Sequence, residues 1–242
     1  MKRMLLVSVV VGLFASQAFA DMYGTANVRY DGMIRGQAVT MGYTDAGGYF
    51  YGEFTQDAGL LHLTVTDLVV SNLPAESYLG LGYSNGFCID LADWAMSTAF
   101  ESYNVQSLDS APDWSASSGG MGAAKASYVA ELIANNDYNT ASRAAAVQVA
   151  IWEIIAEDLY DWNMTDTNSN FYLTQVSAAV AADAQAMLDD LTQGISPDRY
   201  TALSCGPQKA LQDYVVVPLP GAVLLGMFGL GAAGLRLRRR SA

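Results

Sequence analysis

TASRAAAVQVAIWEIIAED, residues 140–158, is the strongest helix pattern in this 242-residue chain. Asn139 or Thr140 supplies a side-chain oxygen for the helix N-cap. Apolar residues recur on one face at helical spacing, namely Val147, Ile151, Ile154 and Ile155. Gln148 lies beside this stripe, where an unpaired buried amide costs about 1 to 3 kcal/mol. We therefore expect the Gln148 amide to be hydrogen-bonded or to be used chemically.

Upstream of this helix the sequence is typical of β-strands. Residues 22–70 contain short aromatic and β-branched runs, such as YFYGEF at 49–54 and LHLTV at 61–65. Turn signals stand at DAGG, residues 45–48, and at QDAG, residues 56–59. This pattern predicts antiparallel strands joined by hairpins. Residues 77–90 add another strand region, and residues 200–217 return as a final strand.

After Leu91 the composition changes to alanine, asparagine and short helices. Besides 140–158, helices are predicted at 125–135 and 175–191. The predicted fold class is α+β: an antiparallel β-sandwich or barrel formed by residues 21–90 and 200–217, with a helical subdomain inserted at 91–199. In this arrangement the Cys88 end of the β lobe meets the helix at 140–158.

The first 20 residues have the features of a secretory signal peptide. Lys2 and Arg3 precede an apolar run, and Ala18 and Ala20 occupy the two positions that a signal peptidase reads. The mature protein is therefore expected to start at Asp21, and residues 1–20 are excluded from the fold.

The C-terminal residues 215–242, VVVPLPGAVLLGMFGLGAAGLRLRRRSA, combine a proline motif, an apolar Gly-rich segment and an arginine cluster. A helix over residues 221–235 would be about 22 Å long, which is shorter than a hydrocarbon core of about 30 Å. The arginines would remain cytoplasmic under the positive-inside rule. By composition alone, this segment is a marginal membrane anchor.

The order of these three parts resembles the PEP-CTERM sorting signal of Gram-negative bacteria. The residues that carry the resemblance are Val217, Pro218, Leu219, Pro220, Gly221, Arg238, Arg239 and Arg240. The resemblance implies that residues 218–242 anchor the exported protein transiently in the inner membrane. An exosortase, which is a membrane cysteine protease, would then remove them. The body, residues 21–217, would reach the cell surface or an extracellular polysaccharide matrix. The alternative is an ordinary C-terminal membrane anchor.

The exported body is strongly acidic. Of the 12 Lys and Arg residues, two lie in the signal peptide and four in the tail, so six remain against 24 Asp and Glu residues, a net charge of about −18. Such a surface repels nucleic acid and favours solubility or cation binding. The sequence also contains no phosphate-binding glycine loop, no nucleophile elbow and no Cys/His cluster. We therefore predict a binding or structural protein, neither an enzyme nor a cofactor carrier.

The short motif FCID at residues 87–90 and the helical motif AVQVAIW at 146–152 are similar to motifs in the thioester domains of bacterial surface adhesins. The resemblance spans about residues 78–156. It implies that Cys88 and Gln148 join as an internal thioester that a surface amine on a partner later opens. The function implied is covalent adhesion.

The second cysteine offers an alternative. Two cysteines in an exported chain form a disulfide most simply, and a Cys88–Cys205 bond would contribute about 4 to 5 kcal/mol in the chain-entropy model. Cys88 cannot serve both bonds, and free thiols are the third alternative. With the disulfide, the protein would be an inert structural component of the surface or biofilm matrix.

One segment has a weak calcium pattern. Asp166, Asn168 and Asn170 alternate as the first ligands of a calcium loop do, but Phe171 replaces the loop glycine and Ser177 stands where the bidentate glutamate is required. An Asn/Asp-rich turn explains the same residues. We therefore predict no metal site, with these three residues as the weak candidate.

Overall fold

The computed structural model describes residues 22–44, 49–91, 96–111, 120–174, 177–205 and 211–218. Its strands are β1 (Met22–Thr44), β2 (Phe50–Val70), β3 (Gly82–Cys88), β4 (Glu101–Ser107), β5 (Phe171–Leu173), β6 (Thr201–Ser204) and β7 (Tyr214–Val217). Its α-helices are α1 (Gly122–Asn135), α2 (Ala141–Ala156) and α3 (Ala178–Asp189), and a 3-10 turn covers Leu108–Ser110. The described part is therefore mostly antiparallel sheet with three helices, roughly the predicted α+β class.

The strands form one antiparallel sheet in the order β2-β3-β7-β6-β4-β1-β5. β1 pairs with β2 along one edge, and with β4 and β5 along the other. β1 is hydrogen-bonded to both β2 and β4. The order β1-β2-β3-β7-β6-β4 therefore returns to β1, and the pairings of these six strands form a closed ring. β3 pairs with β2 up to Gly86 and with β7 up to Cys88, so the last two residues of β3 pair with β7 alone.

The predicted hairpin at residues 56–59 is wrong. These residues lie inside β2, where Ala58 pairs with Gln37 and Gly59 with Gly36. Gly59 does not form a turn. It allows β1 and β2 to approach closely, since a Cβ on Gly59 would lie 2.2 Å from the Arg35 carbonyl oxygen. The other predicted turn, residues 45–48, falls between β1 and β2 and outside the described residues.

Residues 91–199 were predicted to be helical, but they also contain two strands, β4 and β5. β4 pairs with β1 and β6, so it belongs to the main sheet. Its sequence, ESYNVQS, has no apolar run, and Tyr103 and Val105 are its buried hydrophobic positions. Residues 200–217 form two strands, β6 and β7, where one was predicted. Short strands with mixed faces give a weak sequence signal, and their pairing partners stabilise them.

The predicted helix at 140–158 is present as α2 and is the most buried helix of the described structure. Thr140 caps it, with its Oγ1 accepting a hydrogen bond from the Arg143 backbone N at 3.2 Å. Every residue from Ala144 to Ala156 is buried. The helix packs against β1, β2, α1 and α3, so it forms the centre of the core.

The two other predicted helices are present with shifted ends. α1 starts at Gly122, three residues before the predicted start at Lys125, and ends at Asn135 as predicted. α3 covers Ala178–Asp189, which is shorter than the predicted 175–191. Residues 175–176 lie outside the described part of the chain.

No helix within the described ranges is long and apolar enough to cross a membrane. Both predicted terminal signals lie largely outside those ranges. Ala18, Ala20 and Asp21 precede the first described residue, and the motif residues Leu219, Pro220, Gly221, Arg238, Arg239 and Arg240 follow the last one. Val217 ends β7, and the Pro218 carbonyl accepts a hydrogen bond from the Tyr138 hydroxyl at 3.3 Å. The body therefore stays tied to the core up to the proline motif.

Candidate functional site

Cys88 and Gln148, which the sequence paired by resemblance, are in direct contact. Cys88 is the last residue of β3, and Gln148 lies in the middle of α2. The Cys88 backbone N donates to Gln148 Oε1 at 2.9 Å, and Gln148 Nε2 donates to the Cys88 carbonyl oxygen at 2.8 Å. Both polar atoms of the Gln148 amide are thus satisfied, as a buried amide requires.

The pair is enclosed by the core. Cys88 is 3% exposed and Gln148 is 1% exposed. Phe87, which precedes the cysteine, is fully buried and meets Tyr138 edge-to-face with ring centroids 5.4 Å apart. Bulk water therefore has little access to the sulfur or to the amide carbon.

Three N–H groups point at the Cys88 sulfur. Trp152 Nε1 lies 3.3 Å from Sγ, and the Asp90 backbone N lies 3.4 Å away. The third donor is Gln212 Nε2, which also donates to the Asp90 carbonyl oxygen at 2.6 Å. Gln148 and Trp152 both reach Cys88 because residues four apart in a helix lie on the same face.

Burial raises the pKa of the Cys88 thiol well above its usual range. The hydrogen bonds from Trp152 and Asp90 oppose this effect, while the negative charges of Asp90 and Asp213 add to it. The neutral thiol donates to the Asp90 carbonyl oxygen at 2.9 Å. The resting cysteine is therefore a protonated thiol.

Gln212 and Asp213 belong to the site but were not predicted from the sequence. The sequence predicts a strand over residues 200–217 that includes both, but they lie just before β7 and are almost fully buried. The Asp213 carbonyl accepts from the Ile89 backbone N at 3.0 Å, which holds this segment beside Cys88. Burial, with repulsion from Asp90, raises the pKa of Asp213 to about 7. Two adjacent polar residues before the run YVVV were the available signal.

Cys205, the proposed disulfide partner, does not form a disulfide with Cys88 in the structure. Its Sγ donates to the Leu211 carbonyl oxygen at 2.9 Å. Tyr214 of β7 pairs with Cys88 on one side and with Leu203 on the other, so one strand separates the two cysteine-bearing segments. Two strand spacings amount to about 9 to 10 Å, whereas a disulfide needs Cα atoms within about 7 Å. Joining these cysteines would thus require backbone movement.

The three weak calcium candidates all make hydrogen bonds in the described structure. Asp166 Oδ1 accepts from both the backbone N and the side-chain amide of Asn168, each at 2.9 Å. The amide of Asn170 instead donates to Glu157 Oε2 at 3.3 Å. No group of three or more metal-binding His, Cys, Asp or Glu side chains occurs among the described residues. The segment behaves as an Asx turn.

Another buried acid, Glu153, lies on α2 next to Trp152. Its side chain is fully buried, and its Oε1 accepts from the Asn163 backbone N at 2.6 Å. Burial is the main reason that the pKa of Glu153 rises to about 8, and the nearby charges of Glu157 and Asp161 add to the shift. Glu153 is therefore largely protonated at neutral pH.

Comparisons with protein-family models, with curated proteins and with solved structures found no match. The geometry around Cys88, built by β3, α2 and the segment before β7, is thus the basis for assigning a function to the chain.

Proposed function

We propose that this chain is an exported bacterial surface or extracellular-matrix protein whose Cys88 and Gln148 side chains form an internal thioester for covalent adhesion. The observation that supports the proposal is the pair of hydrogen bonds between the Gln148 amide and the Cys88 backbone. These bonds fix the amide beside the residue that carries the thiol. Together they require a side chain on α2 that both accepts and donates a hydrogen bond, as the glutamine amide does.

The bond-forming step is an acyl transfer. The Cys88 sulfur attacks Cδ of Gln148, the new S–C bond forms, and the C–N bond of the amide breaks. The thiol proton leaves with the nitrogen, so the products are a thioester and ammonia. A primary amine on a partner can later attack the same carbon, which forms an amide and returns the proton and the electron pair to sulfur.

The described contacts favour both steps, the formation of the thioester and its later opening by an amine. The Cys88 N–H donates to Gln148 Oε1, the oxygen on which negative charge develops in the tetrahedral intermediate. The low exposure of the two residues protects the acyl group from hydrolysis. The product is one covalent link per molecule, without turnover.

We further propose that the closed ring of strands is a barrel that carries the helices as an insertion between β4 and β6. Export by the signal at residues 1–20 and sorting by residues 218–242 would place this body outside the inner membrane. The acidic surface, with a net charge of about −18 on the exported body, favours partners that present amines. Extracellular polysaccharide and exposed amines are the partner chemistries that this location offers.

The test is the intact mass of the exported protein. A thioester lowers the mass by about 17 Da, and methylamine then adds about 31 Da at Gln148 and frees the thiol. A Cys88–Cys205 disulfide lowers the mass by about 2 Da and does not react with methylamine. That second result would favour the inert matrix component over the adhesin.

Two variants make the mass measurement specific. Cys205→Ser removes the only other cysteine, and we expect the deficit of about 17 Da to remain. Gln148→Glu keeps the size of the side chain but removes the amide nitrogen that leaves as ammonia, so the deficit should disappear. A deficit that persists in Gln148→Glu would show that another residue is the acyl donor.

A further inference from the structure

We infer that Trp152 Nε1, Gln212 Nε2 and the Asp90 backbone N form a sulfur cradle, a set of donors that stabilises the Cys88 thiolate when an amine displaces it. The inference rests on the proposed thioester and adds the groups that set its reactivity. It assigns Trp152 and Gln212 as positioning and charge-stabilising residues.

The cradle is assembled from three separate parts of the chain. Trp152 comes from α2, Asp90 follows β3, and Gln212 precedes β7. The Trp152 Nε1–Sγ distance is 3.3 Å, the Asp90 N–Sγ distance is 3.4 Å, and Gln212 Nε2 also contacts Sγ. Packing of one helix alone would not bring three donors to one atom.

The Gln212 donor is itself held in place. Its Nε2 donates to the Asp90 carbonyl oxygen at 2.6 Å, and its backbone oxygen accepts from the Tyr103 hydroxyl at 3.2 Å. Gln212 is 1% exposed and Trp152 is 2% exposed. The donors are thus preorganised before any charge develops on sulfur.

Charge on sulfur arises during adhesion. When an amine attacks the thioester carbon, the C–S bond breaks and its electron pair moves onto sulfur. A buried thiolate without donors is costly, because burial removes its hydration. Preorganised N–H groups lower this cost in the transition state, and each hydrogen bond to a charged group changes a rate by about tenfold or more. The amine proton then neutralises the thiolate.

The first measurement is the rate at which methylamine opens the thioester, followed by mass. Trp152→Phe keeps an aromatic ring without the N–H group, and Gln212→Met keeps the length without the amide. We expect each variant to react about tenfold or more slowly than the parent. Trp162→Phe and Gln106→Met are matched controls away from Cys88 and should keep the parent rate. Parent rates in Trp152→Phe and Gln212→Met would overturn the inference.

The second measurement does not depend on the thioester. The indole N–H resonance of Trp152 should move upfield and exchange faster in Cys88→Ala than in the parent, because the sulfur acceptor is gone. The Trp162 resonance should not change. An unchanged Trp152 resonance in the folded variant would overturn the cradle.

The two proposals fail separately. If the exported protein has no deficit of about 17 Da, the thioester is absent and the indole resonance alone decides the cradle. If the deficit is present but the two donor variants react at the parent rate, the thioester stands and the cradle does not.

Discussion

The Gln148 side chain pairs with the backbone of Cys88 through both of its polar atoms, at 2.9 Å and 2.8 Å, across 60 positions of sequence. The amide thereby satisfies the last backbone N–H and C=O of β3, in place of a neighbouring strand. These two hydrogen bonds tie α2 to the sheet. Their loss should therefore lower the free energy of unfolding strongly.

Gln148→Ala should destabilise the protein strongly, because it leaves the Cys88 N–H and C=O buried without partners. We expect a loss of about 2 to 4 kcal/mol in the free energy of unfolding, measured by urea denaturation. The Gln148→Ala variant and the reference protein with Gln148 should both carry Cys88→Ser, so that no thioester contributes to the measured stability. Gln37→Ala, at an exposed position of β1, is the control. A loss no larger than that of the control would contradict the role of the pair.

Glu153→Gln should change how stability depends on pH. The pKa of Glu153 is about 8 in the folded state against 4.5 as the ordinary value. Between these values the unfolded chain releases the proton and the folded protein keeps it. Wild-type stability should therefore fall as pH rises, by at most about 1.4 kcal/mol per pH unit from this group.

The glutamine variant removes that contribution. Near pH 4 it should differ little in pH response from the parent, and towards pH 8 its stability should rise relative to the parent. Thermal or urea unfolding at several pH values measures this, with Asp158→Asn, an exposed acid just beyond α2, as the control. Parallel curves for Glu153→Gln and the parent would rule out the shifted carboxyl.

Thr140→Ala should cost about 1 kcal/mol of stability, because it removes the side-chain acceptor for the Arg143 backbone N at the start of α2. Thr140→Ser keeps an oxygen in the same place and should retain most of the stability. Chemical denaturation of the three proteins checks this. Equal losses in the alanine and serine variants would mean that the cap contributes nothing.

Gly42→Ala tests the packing of β5 onto β1. A Cβ at Gly42 would lie 2.5 Å from Cζ of Tyr172, so the ring must move, and we expect a loss of about 1 to 3 kcal/mol. Gly80→Ala is the matched control, since nothing lies within 4 Å of a Cβ there. The melting temperatures of both variants measure the difference, and similar values would show that the Tyr172 ring moves freely.

Terminal peptide mapping of the exported protein tests the two sorting signals. We expect the first residue to be Asp21 and the last to lie close to residues 218–221, because signal peptidase and an exosortase would remove the two apolar segments. A secreted form that still ends in Arg240-Ser241-Ala242 would identify the tail as a plain anchor.

Local patterns in the sequence were sufficient to predict the helices and two residues of the site, Cys88 and Gln148. The α2 pattern predicted a helix, its cap and a glutamine in need of a partner, because helical spacing and capping are properties of neighbouring residues. The FCID and AVQVAIW motifs pointed to Cys88 and Gln148 by resemblance.

Only the tertiary structure decided which strands pair and what surrounds the sulfur. β4 has no apolar run of its own, and it is a strand because β1 and β6 supply its hydrogen-bond partners. Gln212 reaches Cys88 across 124 positions because β7 pairs with β3. Such contacts depend on the packing of distant segments, which no local pattern of residues encodes.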